Sequence, residues 1–556
     1  MMRLTNLHMN EFNSIQFNSI QFNRITLNFI FLLIPAILLI YYVYFLGIYF
    51  LICYFCIYQI LKFQKLENCI FIFKNAFYKK INFMEEIMSQ KTTKRVFTRK
   101  SKLFLILASM ILALSCKNPL GDESGGSGVA GGGGSGGGQT ITNEQGKVFP
   151  AWYLTAEQQE KPFFIAPTIL FQSKKNPAQN YRIPAIIVAD NGNIIAIGDN
   201  RYNHGADIGT ENNKPIDVVY KISKDGGYNW SGEKIILPKS PANAQITTKD
   251  NKGDALVFKH TDGTLICMAV SGGGYAGATS DSTRSRILRS VSTDNGENWS
   301  NWEEVGNSLI DTIKQKHGKP QAFMTSGRGL TLADGTLTAG MTAGSSQGFV
   351  FVYAFSKDKG QTWQYGGAIN NAGGHGVINE PKVIAELDDG RLLASVRNAS
   401  GSGVNQTSIT QTRNRMYAIF DKTGSTMPSS LSAWNFKCGN VDAEGVVWTR
   451  NGIEDKTRII HIQGGPNYRR GLILYVSEDQ GKNFPKKFVI TPDTFADKDK
   501  TAYSSLDVAG DGTIVTLAEE KSETGTYYDL VFRRYNMKAI TGEVYKTEWY
   551  KEIKTK

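Results

Sequence analysis

Leu332-Ala333-Asp334-Gly335-Thr336-Leu337 opens, and Ser356-Lys357-Asp358-Lys359-Gly360-Gln361-Thr362-Trp363 closes, the stretch that decides how this chain folds. The first piece is an Asp-Gly turn between alternating apolar residues, a strong short-range hairpin signal. The second is a turn of Ser, Asp and Gly pinned by a Trp. Both recur. The first returns at Asn191-Gly192, Asp262-Gly263, Asp389-Gly390 and Asp511-Gly512, with a weaker copy lacking the glycine at Asp455 to Ile460. The second returns at Ser223 to Trp230, Ser292 to Trp299 and Ser477 to Phe484, and in a degenerate form at Phe420 to Met427, which keeps only Gly424 and Thr426. Taken at 190, 262, 334, 389, 455 and 511, the first turn advances by 72, 72, 55, 66 and 56 residues. Two turn types that alternate in a constant order point to radial repetition of small antiparallel sheets. The expected fold is all-β, a six-bladed β-propeller. The last unit has no Ser-x-Asp turn after it, so its outer strand is expected from elsewhere in the chain, closing the ring.

The net charge of +12 suggests a polyanion partner until it is located. Residues 1–115 carry 13 Lys and Arg against 4 Asp and Glu, which accounts for +9 of it. The remainder is close to neutral, so no nucleic-acid partner is expected. Four of the six cysteines precede the folded part, and Cys267 and Cys438 alone remain, too few for a disulfide framework although enough for one bridge.

Residues 1–83 form a low-complexity apolar segment in which Ile25 to Leu61 is long enough to span a bilayer. It reads either as a membrane segment or as sequence upstream of a later start codon. An export signal begins at Met84 or Met88, so residues 84–115 are expected to be a signal peptide: a basic region from Lys91 to Lys102, then the apolar run Leu103 to Leu114. It ends in Leu112-Ala113-Leu114-Ser115-Cys116, which resembles a bacterial lipoprotein signal with Cys116 as the lipidated residue, although Ala113 stands where leucine is commonest. Residues 116–160 then form a tether, Gly/Ser-rich over Gly121 to Gly138, a flexible coil. Residues 161–550 are expected to be the propeller, short strands and turns with no long helical period. This organisation implies an exported protein held at the bacterial cell envelope, at its outer membrane or surface, by an N-terminal lipid.

In a propeller the innermost strands converge on one mouth. Eight residues before the first turn stand Arg182, Asp254, Ser326 and Tyr503 in four repeats, and nine before Asp389 stands Glu380. Charged and phenolic side chains at a repeat position that is otherwise apolar are costly to bury unpaired. They read as a site, or as a ring of ion pairs between blades.

Tyr181-Arg182-Ile183-Pro184 is similar to the Phe/Tyr-Arg-Ile-Pro motif of the sialidases (neuraminidases), and the Ser-x-Asp-x-Gly-x-x-Trp turns look like their Asp boxes. The similarity runs from about Phe164 to Arg533. It implies three arginines that bind a substrate carboxylate: Arg182, Arg397 and Arg470, with Arg469 as the alternative to the last. Guanidinium forks suit a planar carboxylate because they stay charged and bind it bidentately. The resemblance further implies Asp207 as acid/base. Its rival, Asp217, sits among Ile216, Val218 and Val219 and reads rather as a strand residue. Tyr503 is implied as nucleophile paired with Glu380, a tyrosine in place of the usual second carboxylate. It makes Glu519 the residue that holds the first arginine and puts Asp254 near the N-acetyl pocket.

The substrates implied are sialylated glycoproteins, glycolipids and oligosaccharides, cleaved with retention by an exo-α-sialidase that works as a monomer and needs no metal or other cofactor. Two alternatives stand beside it. One is transfer of the sialyl group to another sugar or to its own hydroxyl, and the other is a sialic-acid-binding propeller without catalysis. A binding module would have lost the Tyr-Glu-Asp set; candidates for all three are present here.

Overall fold

The computed structural model describes Thr140 to Lys546, apart from residues 143–147, 176–177, 347, 401–412, 467–468, 495, 497–498 and 525–527. The expected segments 1–83 and 84–115, and Cys116, lie outside the described residues. Among the described residues no helix is long and apolar enough to cross a membrane.

Six antiparallel sheets follow one another around a ring. Blade 1 runs Ala178–Val188, Ile194–Tyr202, Ile216–Ser223 and Lys234–Ile235. Blade 2 runs Gly253–Lys259, Leu265–Gly272, Ser285–Ser292 and Glu303–Val305, and blade 3 runs Gly318–Met324, Leu337–Ser345, Gly348–Ser356 and Gln364–Ile369. Blade 4 runs Ile378–Glu386, Leu392–Asn398, Arg413–Phe420 and Ser432–Cys438, and blade 5 runs Ala443–Thr449, Arg458–Gly464, Leu472–Ser477 and Lys486–Thr491. Blade 6 takes Thr501–Val508, Ile514–Lys521 and Tyr528–Tyr535 from the end of the chain and its outer strand, Phe164–Phe171, from the beginning. Val531 pairs with Ile169, and Tyr535 with Phe164. The missing outer strand of the last repeat is thus supplied as expected.

Each Asp-Gly turn joins the first strand of its blade to the second, and each Ser-x-Asp turn joins the third to the fourth. The four clear Ser-x-Asp turns close in the same way. In blade 3 the Ser356 hydroxyl donates to Asp358 at 2.8 Å and accepts the Gly360 N–H at 2.9 Å, while Asp358 accepts the Thr362 N–H. Gly360 sits at φ 81°, in the left-handed region where glycine carries no Cβ penalty. The degenerate copy keeps the turn by a different route. Asp421 alone gathers Thr423, Ser425 and Thr426 through backbone N–H and hydroxyl donors.

The blades are glued by side chains that alternate along each strand. Ala185 and Ile187 of blade 1 pack against Val257 and Cys267 of blade 2, whereas Ile186 and Val188 pack against Val515 and Phe532 of blade 6. Similar clusters fill the other four seams. A strand buried on both faces reads as a continuous apolar run, as in Ile194-Ile195-Ala196-Ile197. Cys267 and Cys438 are buried and free, in different blades, so they form no bridge.

Several elements were not expected: within residues 116–160, the strand pair Thr140–Thr142 and Val148–Pro150 and the short helix Ala156–Gln159, and later in the chain the helix Met537–Thr541 and a longer one between blades. The helix Asn307–His317 joins blades 2 and 3, with Leu309, Ile310 and Ile313 buried in the seam between them. Its apolar stripe is only three residues, too short to register as a helical period among strands.

Near the axis, Lys382 of blade 4 bridges Asp442 and Glu444 of blade 5 at 2.8 and 3.3 Å. Arg328, on a short strand Gly327–Arg328 parallel to the inner strand of blade 2, pairs with Asp507 of blade 6 at 2.6 Å. Asp507 also accepts the Val188 N–H of blade 1. Inter-blade ion pairs therefore exist on residues other than those singled out as a site, and Arg182 of blade 1 makes one as well, with Glu519 of blade 6 at 2.6 Å.

Ser356→Ala leaves the buried Gly360 N–H without its acceptor and is expected to lower stability by about 1–3 kcal/mol. The measurement is the shift of the denaturant midpoint; an unshifted midpoint contradicts this view of the turn.

Candidate active site

In an antiparallel meander the start of the first strand and the end of the second lie at the same rim. This rule collects the polar residues. Arg182, Asp254, Glu380 and Tyr503 lie near the starts of the inner strands of blades 1, 2, 4 and 6. Asp199, Arg201, Arg397 and Glu519 lie near the ends of the second strands of blades 1, 4 and 6. Asp207 and Arg469 come from the loops that follow the second strands of blades 1 and 5.

The ladder is interrupted at this same point in all four inner strands. Register shifts fall between Arg182 and Ala185, opposite Asp254, between Asn379 and Pro381, and between Thr501 and Ser504. Ile183, Asp254 and Glu380 take positive φ of 57°, 53° and 33°. For non-glycine residues such backbone costs on the order of 1–3 kcal/mol each and persists only where the surroundings hold it. Bulges of this kind re-aim side chains.

Tyr503 is the centre of the cluster. Its hydroxyl donates to one oxygen of Glu380, whose other oxygen accepts from Arg397 Nη1. The same Nη1 donates to the Tyr503 oxygen at 2.8 Å, and Arg397 Nε donates to Asn440 at 2.9 Å. Three guanidinium groups surround the phenol ring, at 5.6 Å for Arg182, 5.9 Å for Arg397 and 5.8 Å for Arg469 from its centroid. Arg182 also lies 5.5 Å from the Tyr528 ring. Glu519, fully buried, accepts Arg182 Nε at 2.6 Å, the Ile183 N–H at 2.8 Å and the Tyr503 N–H at 3.2 Å. The described hydrogen bonds of Arg182 use Nε alone.

Asp207 sits apart from that triangle with its side chain 73% exposed. Its Oδ1 accepts Arg201 Nη1 at 2.6 Å, and Arg201 Nη2 reaches the buried Asp199 at 3.2 Å. Asp199 in turn accepts the Asp254 N–H at 3.0 Å.

Proton affinities follow from these neighbours. Burial pushes the Tyr503 phenol well above its ordinary value; Arg397 and Arg469 oppose the rise and Glu380 adds to it. Partial burial works to raise Asp207, but Arg201, Arg182 and Arg469 outweigh it and hold the carboxyl below its usual range. Burial and the neighbouring Asp199 push Asp254 up, so it binds a proton more readily than an ordinary carboxylate.

Most of the expected residues meet here, and one expectation changes. Arg470 donates from Nη1 to the Ala496 carbonyl at 2.8 Å, and none of its described contacts is with Tyr503 or Glu380. It is Arg469, at φ 45°, that stands over the phenol. Asp217 is a structural acceptor: it is fully buried and takes the Ser240 N–H at 2.7 Å. Asp199, Arg201, Asn440 and Tyr528 were not foreseen. A signal for the first two was present, since an Asp and an Arg end the apolar strand Ile194–Tyr202 just as Arg397 and Glu519 end theirs.

Tyr503 should therefore stay a neutral phenol through ordinary alkaline titration. The difference in phenolate absorbance between wild type and Tyr503→Phe should remain flat below pH ~10. A step at lower pH would contradict the assigned environment.

The sequence profile of the BNR repeat-like domain matches residues 207–516, more than half of the chain. Among curated proteins, the sialidase of Micromonospora viridifaciens is 28% identical over 254 residues, 43% of this chain and 36% of that protein. The sialidase of Paraclostridium sordellii is 24% identical over 265 residues, 46% and 61%, and that of Bacteroides fragilis (strain YCH46) 24% over 270 residues, 45% of each. The chain thus spans about half the length of the curated relatives it matches. Among solved structures, a Hadza microbial sialidase superposes with a TM-score of 0.53 at 19% identity, covering 67% of this chain and 69% of that one. The intramolecular trans-sialidase from Ruminococcus gnavus in complex with oseltamivir carboxylate gives 0.51 at 16% identity, covering 67% and 98%. At such identities these two likenesses speak for the fold.

Proposed function

The chain belongs to the BNR repeat-like domain family, and from that premise we propose that it is an exo-acting sialidase, removing terminal sialic acids from glycoproteins, glycolipids and oligosaccharides with retention of configuration. The observation that carries this reading is the set of three guanidinium groups, from blades 1, 4 and 5, gathered at 5.6 to 5.9 Å around one neutral phenol. A concentration of fixed positive charge with donors facing one point suits a carboxylate. The third arginine of this reading is Arg469.

A carboxylate on the anomeric carbon explains the phenol. An anionic nucleophile would meet that charge head-on, whereas neutral tyrosine does not. Tyr503 Oη attacks the anomeric carbon as its proton passes to Glu380. The bond to the leaving sugar breaks, and its oxygen takes the proton held by Asp207. Asp207 then deprotonates a water that attacks the same carbon, the tyrosine leaves, and Glu380 returns its proton. Asp207 needs a proton at the start, yet arginines hold it ionised in the free protein. A bound substrate carboxylate compensates Arg182 and Arg469, and so favours protonation when it is needed. Asp254 is proposed to stand near the pocket for the N-acetyl group. The ring supplies every residue named, which fits a monomer without metal or cofactor. Upstream, the Cys116 signal and the Gly/Ser tether support export and lipid anchoring at the cell envelope.

Tyr503→Phe and Asp207→Ala are each expected to lower turnover of a sialyl disaccharide by roughly 10²–10⁴-fold. Arg469→Ala should mainly raise KM, by roughly 10–100-fold for a lost charged hydrogen bond of about 1.5–3 kcal/mol, while Arg470→Ala changes it little. Steady-state kinetics on purified variants decides both. Near-normal turnover by Tyr503→Phe would refute the mechanism.

A further inference from the structure

Arg201 is the charged group that the mechanism above does not use. Its side chain is 1% exposed, yet it reaches from the buried Asp199 to the exposed Asp207. Nη1 donates to Asp207 Oδ1 at 2.6 Å and to the Gly205 carbonyl at 3.3 Å, and Nη2 donates to Asp199 Oδ2 at 3.2 Å. Asp199 already supplies the counter-charge that a buried guanidinium requires. The second contact therefore fixes Asp207 rather than satisfying Arg201.

Apart from that one bond to the Gly205 carbonyl, the backbone of the Asp207 loop is seated by other means. A Cβ at Gly209 would lie 2.0 Å from the Gly273 carbonyl carbon, and one at Gly277 would lie 1.9 Å from the Gly209 oxygen. Such close approach of two loops, from blades 1 and 2, leaves no room for side chains. Ile208 is buried beside Val270 and Ile216 at the same contact. The loop thus has its own anchors, and the Asp207 side chain has Arg201. Among the described hydrogen bonds Asp207 Oδ1 has a partner and Oδ2 has none.

We propose that Arg201, braced by Asp199, is the positioning residue of the general acid: it holds Asp207 Oδ1 and leaves Oδ2 as the atom that hands the proton to the leaving oxygen. This rests on the sialidase reading. An arginine freed from Asp199 would follow the carboxylate as it turned; a braced one does not. Loss of the brace leaves the loop in place and the carboxylate free to rotate, so protonation of the leaving group suffers while the attack by Tyr503 is spared.

The test separates these two steps by the leaving group. A sialyl disaccharide needs a proton on its departing oxygen, whereas a nitrophenyl sialoside leaves as a stable anion and needs little help. Arg201→Gln is expected to lose at least about tenfold more kcat/KM on the disaccharide than on the aryl substrate, the pattern also expected of Asp207→Ala, with general-acid assistance being worth ~10²–10⁴-fold. Equal losses on both substrates, or no loss on either, overturn the proposal. Should Arg201→Gln not fold, as judged by its melting transition, Arg201→Lys keeps the charge facing Asp199, loses the two-way fork, and decides the same comparison. If the wild-type protein cleaves neither sialoside, it is the sialidase reading that fails.

Discussion

Glu519 holds the ring and the site together. It is a buried carboxylate at the seam of blades 6 and 1, and it collects Arg182, the Ile183 N–H and the Tyr503 N–H. That seam is also where the chain closes on itself, through Phe164–Phe171 beside Tyr528–Tyr535. A buried charge left without a partner is strongly destabilising, so the first arginine and the phenol are fixed by the same group that marks closure of the ring. Everything else at the rim repeats the solution on a smaller scale. Arg397 answers Glu380, Asp199 answers Arg201, and backbone bulges present each inner-strand residue to the mouth.

Charge balance explains the order of the mouth. Three guanidinium groups around one ring make a strongly positive field. The protein places one carboxylate, Glu380, hard against Arg397 and keeps the Tyr503 phenol neutral by burying it. The exposed Asp207 feels the same field, which holds its carboxyl below the usual range. The site is therefore tuned to an anion before any ligand arrives.

Much of this was legible in the sequence because blades repeat. Turn spacing gave the six sheets, the missing outer strand and the converging positions of Arg182, Glu380 and Tyr503. Resemblance to a family motif then suggested roles for them, whereas the axial ion pairs of Lys382 and Arg328 came to light only in the structure. What was not legible lies off the repeat. Arg469 and Arg470 are neighbours in the irregular loop after Gly464, where no repeat position tells which one faces the phenol; it is Arg469, at φ 45°. Asp217, by contrast, set among Ile216, Val218 and Val219, read as a strand residue and is one, accepting the Ser240 N–H. Arg201 and Asp199 sat in plain view at a strand end, and their meaning depends on the loop folding back to bring Asp207 within reach.

The central claim is double displacement through Tyr503 at a site built for an anomeric carboxylate. The most direct measurement is proton NMR of a simple sialoside incubated with the protein, following the anomer of the first product released. The account predicts the α-anomer, appearing ahead of its slow mutarotation to the β form. A first-formed β-anomer would contradict the Tyr503, Glu380 and Asp207 assignment, and an intact substrate whose resonances broaden on binding would contradict catalysis itself.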